Sequence, residues 1–289
     1  MSLTNIPKTT INTLIEKYDV LLLDAYGVIV DKKKSLPGAK EFIDHLNNTK
    51  KPYLILTNGS SVSVKEASER YKTKNLKIPP QNIITSGSLI KVWIEQQKLT
   101  KSNCLVIGPK SSYPLVEEAG CQIIELEELE HKKDIIDMII ITDQTGFPFL
   151  DTVEKIISFL FESYDNNNKI RLLLPNPDLI FPFEKNSIKI TSGSVALLIE
   201  HALMIRFPNK NIAFEKIGKP HPLIFQEAQK KYPDASLIMI GDQVCTDIKG
   251  AYDFGIDSAL VNSGLSSLDH ISSCENVTPN YIMDNIQLS

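Results

Sequence analysis

Residues 20–31 read VLLLDAYGVIVD. Val20 to Leu23 form an unbroken apolar run without polar alternation, the pattern of a strand covered on both faces, as in a parallel sheet. The run stops at Asp24, and Gly27 closes a turn directly after it. Such a strand delivers a carboxylate to the carboxyl end of its sheet, where open α/β folds carry out their chemistry.

Working outward, seven more stretches have the same length and apolarity: KPYLILTNG, QNIITSG, NCLVIGP, DMIIITD, IRLLLPN, SLIMIGD and SALVNSG. Helical patterns lie between them. Pro37 opens GAKEFIDHLNN, Ser61 to Ser63 precede KEASERYKTKN, and Pro220 opens HPLIFQEAQKKY. Alternating strands and helices predict an α/β fold with parallel sheets covered on both faces. DNNNK at 165–169 reads as a surface loop, and no internal repeat or low-complexity linker appears.

The 289 residues suffice for two domains. Hydrophobic residues at 42% and charged residues at 23% exclude long disorder. A net charge of −4, from 31 basic against 35 acidic residues, gives no footprint for a polyanion, so no nucleic-acid partner is expected. The lysines at 32–34 and at 72, 74 and 77 read as solvated faces. Cys104, Cys121, Cys245 and Cys274 are far apart, so neither a zinc site nor a disulfide framework is expected, and a reducing cytoplasm fits best. No apolar stretch reaches the roughly 20 residues of a membrane span, and MSLTNIPKTT lacks the pattern of a secretory signal, so no membrane partner is expected.

Four strand ends or helix starts are chemically loaded: Asp24; Thr57-Asn58-Gly59-Ser60; Gly218-Lys219-Pro220; and Gly241-Asp242 with Asp247. Three carboxylates at one sheet edge raise each other's pKa unless a cation sits among them. Mg²⁺ prefers oxygen ligands and keeps room for waters and a phosphate, which suits Asp24, Asp242, Asp247 and a main-chain carbonyl. Lys219 with the hydroxyl and amides of TNGS would hold the remaining phosphoryl oxygens, leaving one oxygen of Asp24 to attack phosphorus. Other residues carry less. Trp93 in LIKVWIEQQ reads as packing, His221 as structural, and His45, His131, His201 and His270 show no metal-ligand spacing.

With these residues in place, the chain resembles the haloacid dehalogenase-like superfamily, specifically its class IIA branch of nucleotide- and pyridoxal-phosphate-type phosphatases. The motifs are LLLDAYGVIVD with LPGA, LTNGS, IGKPHPLIF and IGDQVCTDIKGAYDFGIDSALVNSG, and they span nearly the whole chain. The resemblance implies a doubly wound, Rossmann-like parallel core over residues 1–99 and 213–289, with an inserted α/β cap of C2 type at 100–212. NPDLIFP and SGSVALLIE resemble parts of that cap. By position, Asp24 would be the nucleophile and a metal ligand, with the Tyr26 carbonyl, Asp242 and Asp247 completing the metal site. Thr57 and Lys219 would hold the phosphoryl group, Asn58 and Gly59 would assist, and Asn176 and Asp178 of the cap would face the substrate or shape a turn.

Tyr26 departs from the family pattern. Most members carry an aspartate two residues after the nucleophile, which protonates the leaving group and then activates water. Loss of general acid–base help is worth about 10² to 10⁴ in rate, so it slows an enzyme without silencing it. A phenol with a pKa near 10 can donate a proton at neutral pH but is a poor base. The expectation is a Mg²⁺-dependent phosphatase for a small phosphorylated metabolite, slowed at hydrolysis of the aspartyl phosphate. A binding module with negligible turnover, and transfer to an acceptor other than water, stay open beside it. The cap favours small substrates over phosphoproteins, and class IIA relatives suggest a homodimer through the cap.

Overall fold

The computed structural model describes residues 6–184, 187–262 and 277–288. His270, Cys274 and the end of SALVNSG lie outside them. Among the described residues, thirteen strands follow in chain order. They are β1 (Val20–Leu23), β2 (Tyr53–Thr57), β3 (Ile83–Thr85), β4 (Asn103–Ile107), β5 (Gln122–Ile124), β6 (Met138–Ile141) and β7 (Arg171–Leu174). Then come β8 (Ile180–Glu184), β9 (Ser187–Ile190), β10 (Glu215–Lys216), β11 (Leu237–Gly241), β12 (Asp257–Val261) and β13 (Tyr281–Met283). All eight apolar stretches of the sequence are strands.

The chain divides into two compact units. The first holds Met1–Thr57, Val64–Thr85 and Lys219–Ser289, built on a six-stranded sheet in the order β13-β12-β11-β1-β2-β3. Every pairing in it is parallel. From β1 the chain moves to β2 and β3 on one side, then returns as β11 on the other. The order therefore reverses between β1 and β11, and a doubly wound sheet opens a crevice at the carboxyl ends of such a pair. Val20 to Leu23 and Leu237 to Ile240 run in register there, and all are buried.

The second unit holds Asn58–Ser63 and Ser86–Gly218. Its five-stranded sheet has the order β10-β7-β6-β4-β5, again parallel, with an antiparallel hairpin of β8 and β9. Helix Phe149–Asp165 buries Val153, Ile156, Phe159 and Leu160, one stripe at the helical repeat, and packs on helix Ser192–Arg206, which buries Val195, Ala196, Ile199 and Leu203. Each such side chain contributes about 1.5 to 3 kcal/mol of burial, and charging Ile156 would break the stripe at its centre.

The unit boundaries differ from the sequence division at residues 99 and 213. Helix Leu89–Gln97 groups with the second unit because Trp93 is buried there. Its indole Nε1 donates to Glu215 at 3.2 Å, and Arg171 lies 5.2 Å from the ring. Residues 215–216 join as β10 on β7. Trp93 is thus a packing residue. Helix Leu223–Lys231 starts after Pro222 instead of at Pro220. Cys104 and Cys121 are free and buried. Among the described residues, no helix is long and apolar enough to cross a membrane.

Candidate active site

Asp24 leaves the end of β1, and its N–H donates to the Ile240 carbonyl of β11 at 2.9 Å, fixing it against the neighbouring strand end. Asp242 follows β11 directly. Asp247 lies five residues further on, in a π-helical turn over Val244–Ile248, a geometry often found at functional sites. Its N–H donates to the Gln243 carbonyl at 3.0 Å, and its Oδ2 accepts from Gln243 N–H at 3.1 Å. These bonds turn Asp247 back toward the strand end. Ligand oxygens of Asp24, Asp242 and Asp247 lie within 4.8 Å of one another, and all three residues are buried.

Lys219 answers part of that charge. Its ammonium donates to Asp24 Oδ1 and to Asp247 Oδ1, both at 2.6 Å, and only 2% of the residue is exposed. Burial alone would lower its pKa, but Asp24 and Asp247 outweigh it and hold the ammonium above the ordinary lysine range. The Asp24 pKa is raised as well, but by burial. Burial pushes its carboxyl well above the usual carboxylate range, Lys219 pulls it down, and Asp247 and Asp242 push it up again. Were all three carboxyls ionised, one ammonium would leave two negative charges in excess.

The turn after Asp24 is shaped by hydrogen bonds from Ile29 and Val30 N–H to the Ala25 carbonyl and from Gly27 N–H to the Val30 carbonyl. Gly27 has φ +81, and a Cβ there would lie 2.2 Å from Asp242 Oδ2. The sequence shows Gly27 as a turn residue; only the fold shows it as the floor beneath a carboxylate. Tyr26 beside it is 56% exposed. Desolvation raises its phenol pKa, Arg70 lowers it and Asp24 raises it, with a net upward shift. The hydroxyl therefore keeps its proton at neutral pH, available to donate and unsuited to act as a base.

Thr57 ends β2, next to β1, two residues past Ile55, which pairs with Leu23. Thr57 itself pairs with Thr85 and is buried. Asn58 and Gly59 group with the second unit. Asn58 Nδ2 donates to Asp178 Oδ1 at 2.8 Å, and the Gly59 carbonyl accepts from Gly87 N–H at 3.2 Å. The Asn176 side chain accepts from Asp178 N–H at 3.0 Å, shaping a turn. Ser86 was not singled out in the sequence; its hydroxyl donates to the Asn58 carbonyl at 2.7 Å.

Two family models match, one for haloacid dehalogenase-like hydrolases over residues 21–122 and one for related hydrolase-like domains over 216–288. The chain belongs to the haloacid dehalogenase-like hydrolases. A dihydroxyacetone phosphatase of Corynebacterium glutamicum is 26% identical to this hydrolase over 247 residues, covering 85% of this chain and 81% of the relative. The structure of a possible sugar phosphatase from Cytophaga hutchinsonii superposes with a TM-score of 0.84 at 24% identity, covering 99% of this chain and all of the other. A glycerol phosphate phosphatase from Mycobacterium tuberculosis, solved in complex with magnesium, gives 0.76 at 20% identity, covering 96% of this chain and 77% of that one. In this haloacid dehalogenase-like hydrolase, the clustered hard oxygen donors and their excess negative charge fit a divalent cation.

Proposed function

We propose that the chain is a cytoplasmic, Mg²⁺-dependent phosphatase for a small phosphorylated metabolite, working through an aspartyl phosphate on Asp24. The observation that carries this reading is the buried cluster of Asp24, Asp242, Asp247 and Lys219 at the switch point of the six-stranded sheet. The named relatives, phosphatases of small phosphate esters, support the substrate class. Asp24, Asp242, Asp247 and the Tyr26 carbonyl would hold the metal, which when bound would neutralise phosphoryl charge.

An Asp24 carboxylate oxygen forms a bond to phosphorus, and the bond from phosphorus to the ester oxygen breaks. The leaving alkoxide takes a proton, for which the Tyr26 phenol is the available donor. Lys219 and Thr57 hold the non-bridging oxygens. Tyr26 regains its proton from solvent; water then bonds to phosphorus as the bond from phosphorus to the Asp24 oxygen breaks, and the proton that the water loses passes to solvent, which releases phosphate and restores the Asp24 carboxylate. With Tyr26 a poor base, the second step is the slower one.

The test is pre-steady-state turnover of an aryl phosphate with Mg²⁺, following phenol and phosphate together, with Asp24→Asn as the blank. A stoichiometric phenol burst ahead of phosphate is expected. Absence of phenol above the blank, in protein that still binds Mg²⁺ and phosphate, would overturn the enzyme in favour of a phospho-ligand-binding module. A burst without later phosphate release would point to an acceptor other than water.

The homodimer belongs to the same proposal. Ile180, Ile188 and Ile190 lie exposed on one face of the β8–β9 hairpin, and Leu197, Leu198, Met204 and Ile205 form an exposed stripe on helix Ser192–Arg206. Their exposed area is on the order of the 800 Å² that one partner contributes to a standard interface. An apolar stripe is compatible with its own copy across a twofold axis. Sedimentation equilibrium should give a dimer for the native chain and a monomer for Leu198→Glu; a native monomer at micromolar concentration would exclude the pairing.

A further inference from the structure

Thr57 and Lys219, the two residues that would hold the phosphoryl group, each adjoin a residue of the second unit: Asn58 follows the first and Gly218 precedes the second. Asn58 and Gly218 meet there. A Cβ at residue 218 would lie 2.6 Å from Asn58 Oδ1 and 2.5 Å from the Pro175 carbonyl, so the Asn58 amide is seated against the peptide that leads into Lys219. The other end of that amide, Nδ2, donates to Asp178 Oδ1 at 2.8 Å.

Asp178 is itself fixed by its backbone. Its N–H donates to Asn176 Oδ1 at 3.0 Å, and its carbonyl accepts from Gly193 N–H at 3.1 Å. Gly193 leaves no room for a side chain, since a Cβ would lie 2.3 Å from that carbonyl. The Asn58 backbone is held in turn by the Ser86 hydroxyl at 2.7 Å. The Asp178 carboxylate thus projects from a turn that does not depend on it, and its bond to a buried amide is of the stronger, charge-assisted kind.

We infer that Asp178 and Asn58 are positioning residues, a clamp that fixes the two chain segments bearing Thr57 and Lys219, and that Asp178 does not select the substrate. The inference rests on the phosphoryl-binding reading of Thr57 and Lys219. A clamp acts on the phosphoryl group common to every substrate, whereas a residue that reads the alcohol discriminates among substrates. Misplacing a reacting group by about 1 Å lowers rate by about a hundredfold.

The experiment compares Asp178→Ala and Asp178→Asn in the full chain with Mg²⁺. It uses three phosphate esters of unrelated alcohols and measures orthovanadate affinity separately by ⁵¹V NMR. The clamp predicts a ten- to hundredfold loss of kcat/KM for Asp178→Ala, equal across the three esters within threefold, with a matching loss of vanadate affinity. Asp178→Asn retains an acceptor for Asn58 and recovers at least fivefold of that loss. Losses differing more than tenfold among esters, an asparagine variant as poor as the alanine variant, or an unchanged alanine variant overturn the inference. Should Asp178→Ala not fold, Asn58→Asp is compared with Asn58→Asp/Asp178→Asn. Two facing carboxylates lose the clamp, and the double exchange restores a donor and an acceptor; equal vanadate affinity in the two variants overturns it. If the native chain turns over no ester, the phosphatase reading fails, and the vanadate measurements still decide the clamp.

Discussion

Replacing Lys219 by methionine keeps the length of the side chain and removes its charge. In the native chain that ammonium faces Asp24 and Asp247 at 2.6 Å on either side, and all three groups are buried. Breaking a buried pair by removing one partner costs about 3 to 5 kcal/mol, because the remaining charge is left uncompensated. For a chain of 289 residues, with about 2.1 cal/mol/K of unfolding entropy per residue, that corresponds to a fall in melting temperature of about 5 to 8 °C.

The loss depends on pH in a definite direction. Lys219 draws the Asp24 pKa down against burial and against Asp247 and Asp242. Without it the folded-state pKa of Asp24 rises further above the unfolded value. A carboxyl raised in this way takes up a proton at low pH and is destabilising as pH climbs toward its folded pKa. The penalty is therefore small near pH 4, grows by up to about 1.4 kcal/mol per pH unit, and is full above the folded pKa. Mg²⁺ should return part of it, about 2.7 kcal/mol at a hundred times its dissociation constant. The assay is thermal melting at pH 5 and pH 8, in EDTA and in Mg²⁺. Equal melting of both proteins in EDTA at pH 8, or a larger deficit at pH 5 than at pH 8, would refute this account of the charges.

Asp24→Asn removes one of the excess negative charges, so in EDTA it should raise the melting temperature by several degrees at pH 8 and by less at pH 5; a loss of stability at pH 8 contradicts the raised Asp24 pKa. Gly27→Ala brings about 1 kcal/mol of left-handed backbone strain and a Cβ 2.2 Å from Asp242 Oδ2, so Mg²⁺ affinity by calorimetry should fall at least tenfold, and unchanged affinity removes Asp242 from the metal site. Tyr26→Asp should speed phosphate release from the aspartyl enzyme at least tenfold and diminish the phenol burst; an unaltered ratio of the two rates means that residue 26 is not where the second step is limited.

Much of the candidate site was legible because its signals are local. Val20 to Leu23 must be a buried strand, since nothing polar interrupts them, and Asp24 must then fall at its end. The same logic placed Thr57 and Asp242 at the ends of β2 and β11. Spacing and order along the chain were enough to bring forward Lys219 and Asp247 as companions.

Three things were decided only by the tertiary structure. Strand order put β11 beside β1, and the sequence could not choose that neighbour because all the parallel strands look alike, apolar on both faces. The unit boundaries followed contacts between distant residues, such as Trp93 with Glu215 and β10 with β7, which leave no mark in a local window. Asp178 reads in sequence as a turn residue or a substrate contact; its partner, Asn58, lies 120 positions away and is brought to it by the folding of the second unit. Local chemistry thus determined which residues could act, and long-range packing decided which of them meet.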